Sequence, residues 1–171
     1  MLNKENQTTA QHVTFGEFQL ITGTAIDGRN AMADFFMSMW RDKGGPQHAI
    51  QRRDINPAEM KRYLEHLVIM DVENQNNDWS LRVRLIGGYV ANFYGELTGK
   101  DVREMKNTQA VARIHRACAK VLESKEPVLT TSPAFAPERL YLEAIALYMP
   151  LFDANGNVVK IFTCVNITTQ Q

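Results

Sequence analysis

Long apolar runs are missing from this chain, and no window approaches the unbroken apolar stretch of about 20 residues that a membrane-spanning helix needs. Cysteine is scarce: Cys118 and Cys164 are the only two. Neither stands in a Cys-x-x-Cys or Cys/His cluster of zinc-ligand spacing, which points to free thiols in a reducing cytosol and assigns no metal. An excess of either charge is lacking too, since 19 Lys and Arg balance 19 Asp and Glu. Nucleic acid and anionic membrane surfaces select clustered positive charge, so neither is expected as a partner. The first dozen residues are polar and carry no apolar core of the signal-peptide type. Together these absences describe a cytoplasmic protein. Motifs of catalysis are absent as well. Ser38, Ser80, Ser124 and Ser132 have no Gly-x-Ser-x-Gly context, and no glycine-rich loop follows a strand in phosphate-binding form. No catalytic residue is assigned, and the chain is not expected to be an enzyme.

What remains is an ordinary globular composition. Apolar residues make up 44% and charged residues 22% of 171, enough for one domain to bury a full core without staples. Residues 1–12 read as a disordered tail and 13–27 as an N-terminal extension ambiguous between strand and loop. Asp27 supplies an N-cap for a helix through Trp40. Met32, Phe35, Phe36, Met39 and Trp40 recur at helical spacing, an apolar stripe that needs either its own sheet or a second copy of the chain to cover it. Asn56, Pro57 and Glu59 open a second helix, with Met60, Tyr63, Leu64 and Leu67 on its buried side.

Two strands follow, near 66–73 and 79–86, joined by the Asn/Asp-rich turn 74–78. The chain then breaks at Gly87-Gly88 into a short aromatic helix. A longer helix from Asn107 or Thr108 to about Lys125 carries Val111, Ile114, Cys118, Val121 and Leu122 on one side. Strands near 128–131, 140–151 and 158–167 complete the order, the last two forming a hairpin through Asp153-Ala154-Asn155-Gly156-Asn157. Two strands before a helical crossover and three after it suit one antiparallel sheet with helices packed on one face, an α+β domain.

The run Phe93-Tyr94-Gly95-Glu96-Leu97-Thr98-Gly99-Lys100 resembles the centre of PAS domains, in which a short helix is followed by a Gly and a Glu-Leu-x-Gly-Lys element. Further marks are Trp40-Arg41, Asp54-Ile55-Asn56-Pro57, the strand 67–72, Arg84-Leu85-Ile86-Gly87, Glu143 and Met149-Pro150-Leu151. In that order and spacing they resemble a stand-alone bacterial PAS-like group, long catalogued as a domain of unknown function, over roughly residues 28–167. The domain is accordingly taken as 28–171. The resemblance implies a PAS-like five-stranded antiparallel sheet with short helices on one face and an N-terminal amphipathic helix. It implies a cavity between sheet and helices, and a role as a sensor or dimerisation module. Such a chain would signal to an effector in trans or through its own oligomer. One departure stands out: where PAS domains often carry an Asn at the strand-to-helix junction, this chain has Gly87.

Five residues are candidates for ligand contact: Arg84, Tyr89, Phe93, Tyr94 and His115. Tyr89, Phe93 and Tyr94 lie on the short helix that would wall the cavity. Arg82 and Arg84 alternate with Leu81, Val83 and Leu85. With the leucines toward the helices, both arginines face away and form an ion pair with a residue such as Asp71 or Glu143. In the reverse register they hold a carboxylate or phosphate in the cavity. His115 sits where haem-binding PAS domains place their iron ligand, but a lone histidine flanked by Arg113 and Arg116 reads better as a rim residue, and no cofactor is assigned. The Asn-Cys-Arg motif of light-sensing PAS domains is absent, so Cys118 and Cys164 read as buried inert thiols. Glu143 reads as an exposed strand carboxylate opposite Lys160, and Trp79 as a packing residue at the rim.

Three functions compete. The leading one is a cytoplasmic sensory module that binds a small molecule and signals through protein contacts. The second is a cofactor-free interaction protein with a filled core, forming a homodimer or binding an effector through Met32, Phe35, Phe36, Met39 and Trp40. The third is a small enzyme built from Arg84, Glu143 and His115, which requires all three on one face.

Overall fold

The computed structural model describes residues 18–133 and 142–169. The expected tail, the start of the N-terminal extension, the first residues of the strand near 140 and the last two residues lie outside these. The described strands are β1 (Gln19–Thr22), β2 (Leu67–Gln75), β3 (Asp78–Ile86), β4 (Val128–Pro133), β5 (Leu142–Phe152) and β6 (Val158–Thr169). The helices are α1 (Ala31–Asp42), α2 (Gly88–Tyr94) and α3 (Thr108–Ser124), with 3-10 segments at Gly23–Ile26, Arg52–Asp54, Pro57–His66 and Val102–Glu104.

All strands join one antiparallel sheet in the order β1-β4-β5-β6-β2-β3. The late hairpin β5–β6 therefore meets the central pair through β6 and β2, as the fold class requires. The sheet has six strands rather than the five expected. The additional one, β1, comes from the stretch that the sequence left between strand and loop. It is four residues long, buries only Ile21, and pairs along a single edge, so it depends on β4 for its definition.

Both faces of the sheet are covered, because alternate residues on the strands face opposite sides. Leu67 and Ile69 of β2, Leu147 and Met149 of β5, and Phe162 and Cys164 of β6 pack with α1 and Met60. Val68 and Met70, Ala146 and Tyr148, and Ile161 and Val165 face α2, α3 and the Val102–Glu104 segment. The N-terminal stripe is thus consumed by its own sheet. Met32, Phe36, Met39 and Trp40 are buried, and Phe35 is half-buried against Phe36 and Tyr63. The surface assigned to a partner is a core in this structure. Among the described residues the large apolar side chains left exposed are Leu64 and Leu85.

Local chemistry sets the boundaries. Asn30, not Asp27, caps α1 by accepting from the Ala33 amide at 3.1 Å, while Asp27 pairs with Arg41 at 2.8 Å. Pro57 does open the next segment and Asn56 caps it, yet it winds as 3-10 helix, and Glu59 reaches Lys43 instead of the cap. Met60 departs from helical φ/ψ inside the segment, and Leu64, expected on its buried side, is exposed. Asn76 and Asn77 both take positive φ, which gives the two-residue turn its match to the twist of β2 and β3. Asp153 accepts from the Asn155 and Asn157 amides, both at 2.9 Å, and closes the late hairpin.

Candidate functional site

A cavity of about 60 Å³ lies between the sheet and the small helices. Val68, Met70 and Val83 form its floor, Val90 and Tyr94 of α2 its wall, and Leu97, Val102, Met105 and Ile114 its roof. Ala146, Tyr148, Thr163 and Val165 close the far side. Among the described residues that line it, none is charged.

Each wall has a local cause. A side chain at Gly87 would collide with the Glu65 carbonyl, so the strand-to-helix junction closes only on glycine; its amide donates to the Leu67 carbonyl at 2.7 Å. The departure from the usual PAS asparagine is therefore a close approach of two backbones. Gly95 then ends α2 at positive φ, and Leu97 drops into the cavity. The segment after it zips onto β3, with Gly99 donating to the Val83 carbonyl at 2.7 Å and Val83 to the Lys100 carbonyl at 2.9 Å. The Glu-Leu-x-Gly-Lys element is thus the edge of the cavity roof.

Polar groups near the cavity are few. Burial pushes the Tyr94 phenol up to about 12, and it raises Tyr148 well above its ordinary value, so both stay protonated at physiological pH. Thr130 lies beside the Tyr148 phenol and donates its own hydroxyl to the Ala146 carbonyl at 3.5 Å. Thr163 is 2% exposed, and its hydroxyl has no hydrogen-bond partner among the described residues. Behind Tyr94 a second space of about 30 Å³ shares Tyr94, Ile114, Ala146 and Tyr148 with the first, and adds Arg113 and Thr130.

Of the five candidate ligand residues, only Tyr94 lines the cavity. Tyr89 is structural: its hydroxyl accepts from the Ile167 amide at 3.0 Å, and its ring lies 4.1 Å from that of His66. Phe93 packs edge-on against Tyr89 at 5.3 Å. Arg84 stands outside, 54% exposed and paired with Asp71, which Lys160 also engages. The pairing register shifts between Ile69 and Met70 so that Arg84 has no opposite residue. This bulge breaks the alternation: Leu85 turns to solvent, and Ile86 takes the place in the cavity lining.

His115 does not line the cavity either. Its ring stacks on Trp79 at 5.1 Å, and burial holds its pKa below the ordinary value against the pull of Asp101. Its Nε2 is buried without a partner among the described residues. The trio of the enzyme reading is not brought together. Arg84 and Glu143 sit on strands three inter-strand spacings apart, about 14 Å, and His115 packs on the opposite face. Glu143 pairs across to Thr168, not Lys160. Cys118 and Cys164 are buried free thiols, their pKa values raised by burial, that of Cys164 to about 12. No group of His, Cys, Asp and Glu that could hold a metal occurs among the described residues, and no described helix is long and apolar enough to cross a membrane.

The residues that the sequence did not single out are the apolar lining and Thr163. Alternation held the signal for both: on β6 the cavity phase reads Ile161, Thr163, Val165, a lone hydroxyl in an apolar row.

A family described as PAS domain matches residues 29–166. No curated protein matches the chain. Among solved structures, a PAS domain from Colwellia psychrerythraea is 11% identical with a TM-score of 0.47, over 67% of this chain and 97% of that one. A sensory box sensor histidine kinase from Vibrio cholerae is 10% identical with a TM-score of 0.46, over 79% and 98%. A light-oxygen-voltage domain studied with a flavin analogue is 16% identical with a TM-score of 0.46, over 66% and 83%. At these values the three carry no functional argument.

Proposed function

The chain belongs to the PAS domain family, and from that premise we propose that it is a cytoplasmic sensory module whose cavity binds a small, uncharged, mostly apolar molecule. The observation behind this reading is the cavity itself: an apolar space walled by the short helix and the edge loop, with charge kept outside. An anionic guest, which Arg84 would have served, has no cation in the described lining to meet it. Burying a carboxylate there unpaired costs many kcal/mol. The volume speaks for a compact guest, since pockets for drug-sized ligands run to about 300–1,000 Å³. Occupancy is passed on through α2 and the Leu97 loop, which border the space and shift as it fills. The recipient of that signal is a protein in trans or a second copy of the chain.

The test is xenon, an apolar atom small enough for the space. Methyl resonances of Val68, Val83, Val90 and Val165 should shift on pressurisation, while those of Leu64 and Leu85 on the surface stay in place. Cavity methyls that do not respond to xenon would remove the reading. Mass spectrometry of small molecules released when the freshly purified protein is denatured then supplies the identity of a resident guest.

A further inference from the structure

Resting on that reading of the cavity, one of its lining residues carries a second and independent observation. Thr163 lies on β6, where the residues of the same phase, Ile161 and Val165, are apolar and buried. It is 2% exposed, it faces the cavity, and its hydroxyl has no partner among the described residues. A hydroxyl removed from water without a hydrogen bond is destabilising, and buried polar groups are nearly always satisfied. Valine has almost the same shape and would fill the position without that cost. The Thr130 hydroxyl nearby is engaged, donating to the Ala146 carbonyl at 3.5 Å. Among the hydroxyls of the lining, that of Thr163 is the buried one with no partner among the described residues.

We propose that the Thr163 hydroxyl is the polar anchor of the cavity, selecting an uncharged molecule with a compact apolar body and one hydrogen-bonding atom, such as an alcohol, ketone or phenol. A hydroxyl both donates and accepts, so the anchor fits a carbonyl or a hydroxyl and offers nothing to a hydrocarbon beyond contact. It also orients the guest. The polar atom points to β6, and the apolar body lies toward α2 and Leu97, which wall the space on that side.

The experiment uses the whole chain, wild type and Thr163→Val, titrated with xenon, isobutane and 2-propanol and followed by the cavity methyl resonances. Isobutane and 2-propanol share a shape and differ by a methyl against a hydroxyl. Thr163→Val should weaken 2-propanol about tenfold, the size of a hydrogen bond to a neutral group, and leave isobutane and xenon unchanged or tighter. The unliganded variant should melt at the wild-type temperature or above it, because it loses an unsatisfied hydroxyl. If xenon binds both proteins and Thr163→Val leaves 2-propanol unaffected, the anchor is refuted while the cavity stands. A variant that melts several degrees lower also refutes it, since the hydroxyl is then satisfied within the protein or by water. Xenon binding to neither protein defeats the cavity and the anchor together.

Discussion

Single residues carry the sharpest expectations. Gly87 is fixed by the Glu65 carbonyl, which occupies the place of a β-carbon. Because the obstacle is backbone and not a flexible side chain, Gly87→Ala should cost about 1–3 kcal/mol, the range of overpacking and backbone-shift mutants, measured by denaturant unfolding. Gly88, next in the chain, has open space at that position, and Gly88→Ala should cost little, if anything. Asp71 makes a different kind of prediction. Its partial burial pushes the carboxyl pKa up, but hydrogen bonds from Lys160 and Arg84, with their charges, outweigh this and hold it below the ordinary value. A depressed folded pKa means that the stabilisation is present above the unfolded value of about 3.9 and fades as pH falls through it toward the folded one. Asp71→Asn should therefore lower stability by about 1 kcal/mol at pH 7, as partly exposed pairs do. The gap between the two proteins should start to narrow near pH 4 and close as pH falls through the lower folded value. A gap that persisted in acid would mean that Asp71 acts through packing and not through charge.

At the scale of elements, α1 decides between two readings of the same stripe. The periodicity of Met32, Phe35, Phe36, Met39 and Trp40 shows an amphipathic helix, but a helix that docks on its own sheet and one that docks on a partner have the same pattern. What distinguishes them is the opposite face of the sheet, where Leu147, Met149, Leu151 and Phe162 wait for a cover. The sequence reading took β5 and β6 as strand formers with helices on one face, whereas residues of both their phases are apolar, the mark of a sheet buried on its two sides. Phe36 is fully buried, with its ring 5.4 Å from Phe162 and 5.7 Å from Tyr63. Phe36→Ala should cost about 3–5 kcal/mol, and Phe36→Glu should unfold the chain. A well-folded Phe36→Glu monomer, seen by circular dichroism and light scattering, would return the stripe to an interface. The element order and the hairpins were readable because their turns have strong chemistry: Asn76-Asn77, Asp153 and the Asn107 cap. The place of Ile86 in the lining was not, since the bulge at Arg84 shifts the register by one residue, and a shift of one exchanges the faces.

For the molecule as a whole, the sheet has two edges, and they are managed differently. The β3 edge is partly covered by the loop at Gly99 and Lys100, which bonds both sides of Val83. The other edge would be β4 if the domain ended where the PAS family match begins, at residue 29. Instead β1 pairs with Val128–Thr131 and sets Ile21, 8% exposed, into the α1 side of the core. It is therefore part of the folded unit and a cap on an edge that would otherwise pair with another chain. Deleting residues 1–22 uncovers the apolar surface that Ile21 seals. The loss of that side chain alone is worth about 2 kcal/mol, or about 5 °C in melting temperature for a domain of this size. The β4 amides that face β1 should lose their protection in hydrogen exchange while those of β2 and β6 keep theirs. The truncated chain should also self-associate at micromolar concentration through the bare β4 edge, which light scattering would register. A truncated protein that stays monomeric with β4 still protected would show that β1 is a decoration on the sheet and that the remaining five strands close the fold unaided.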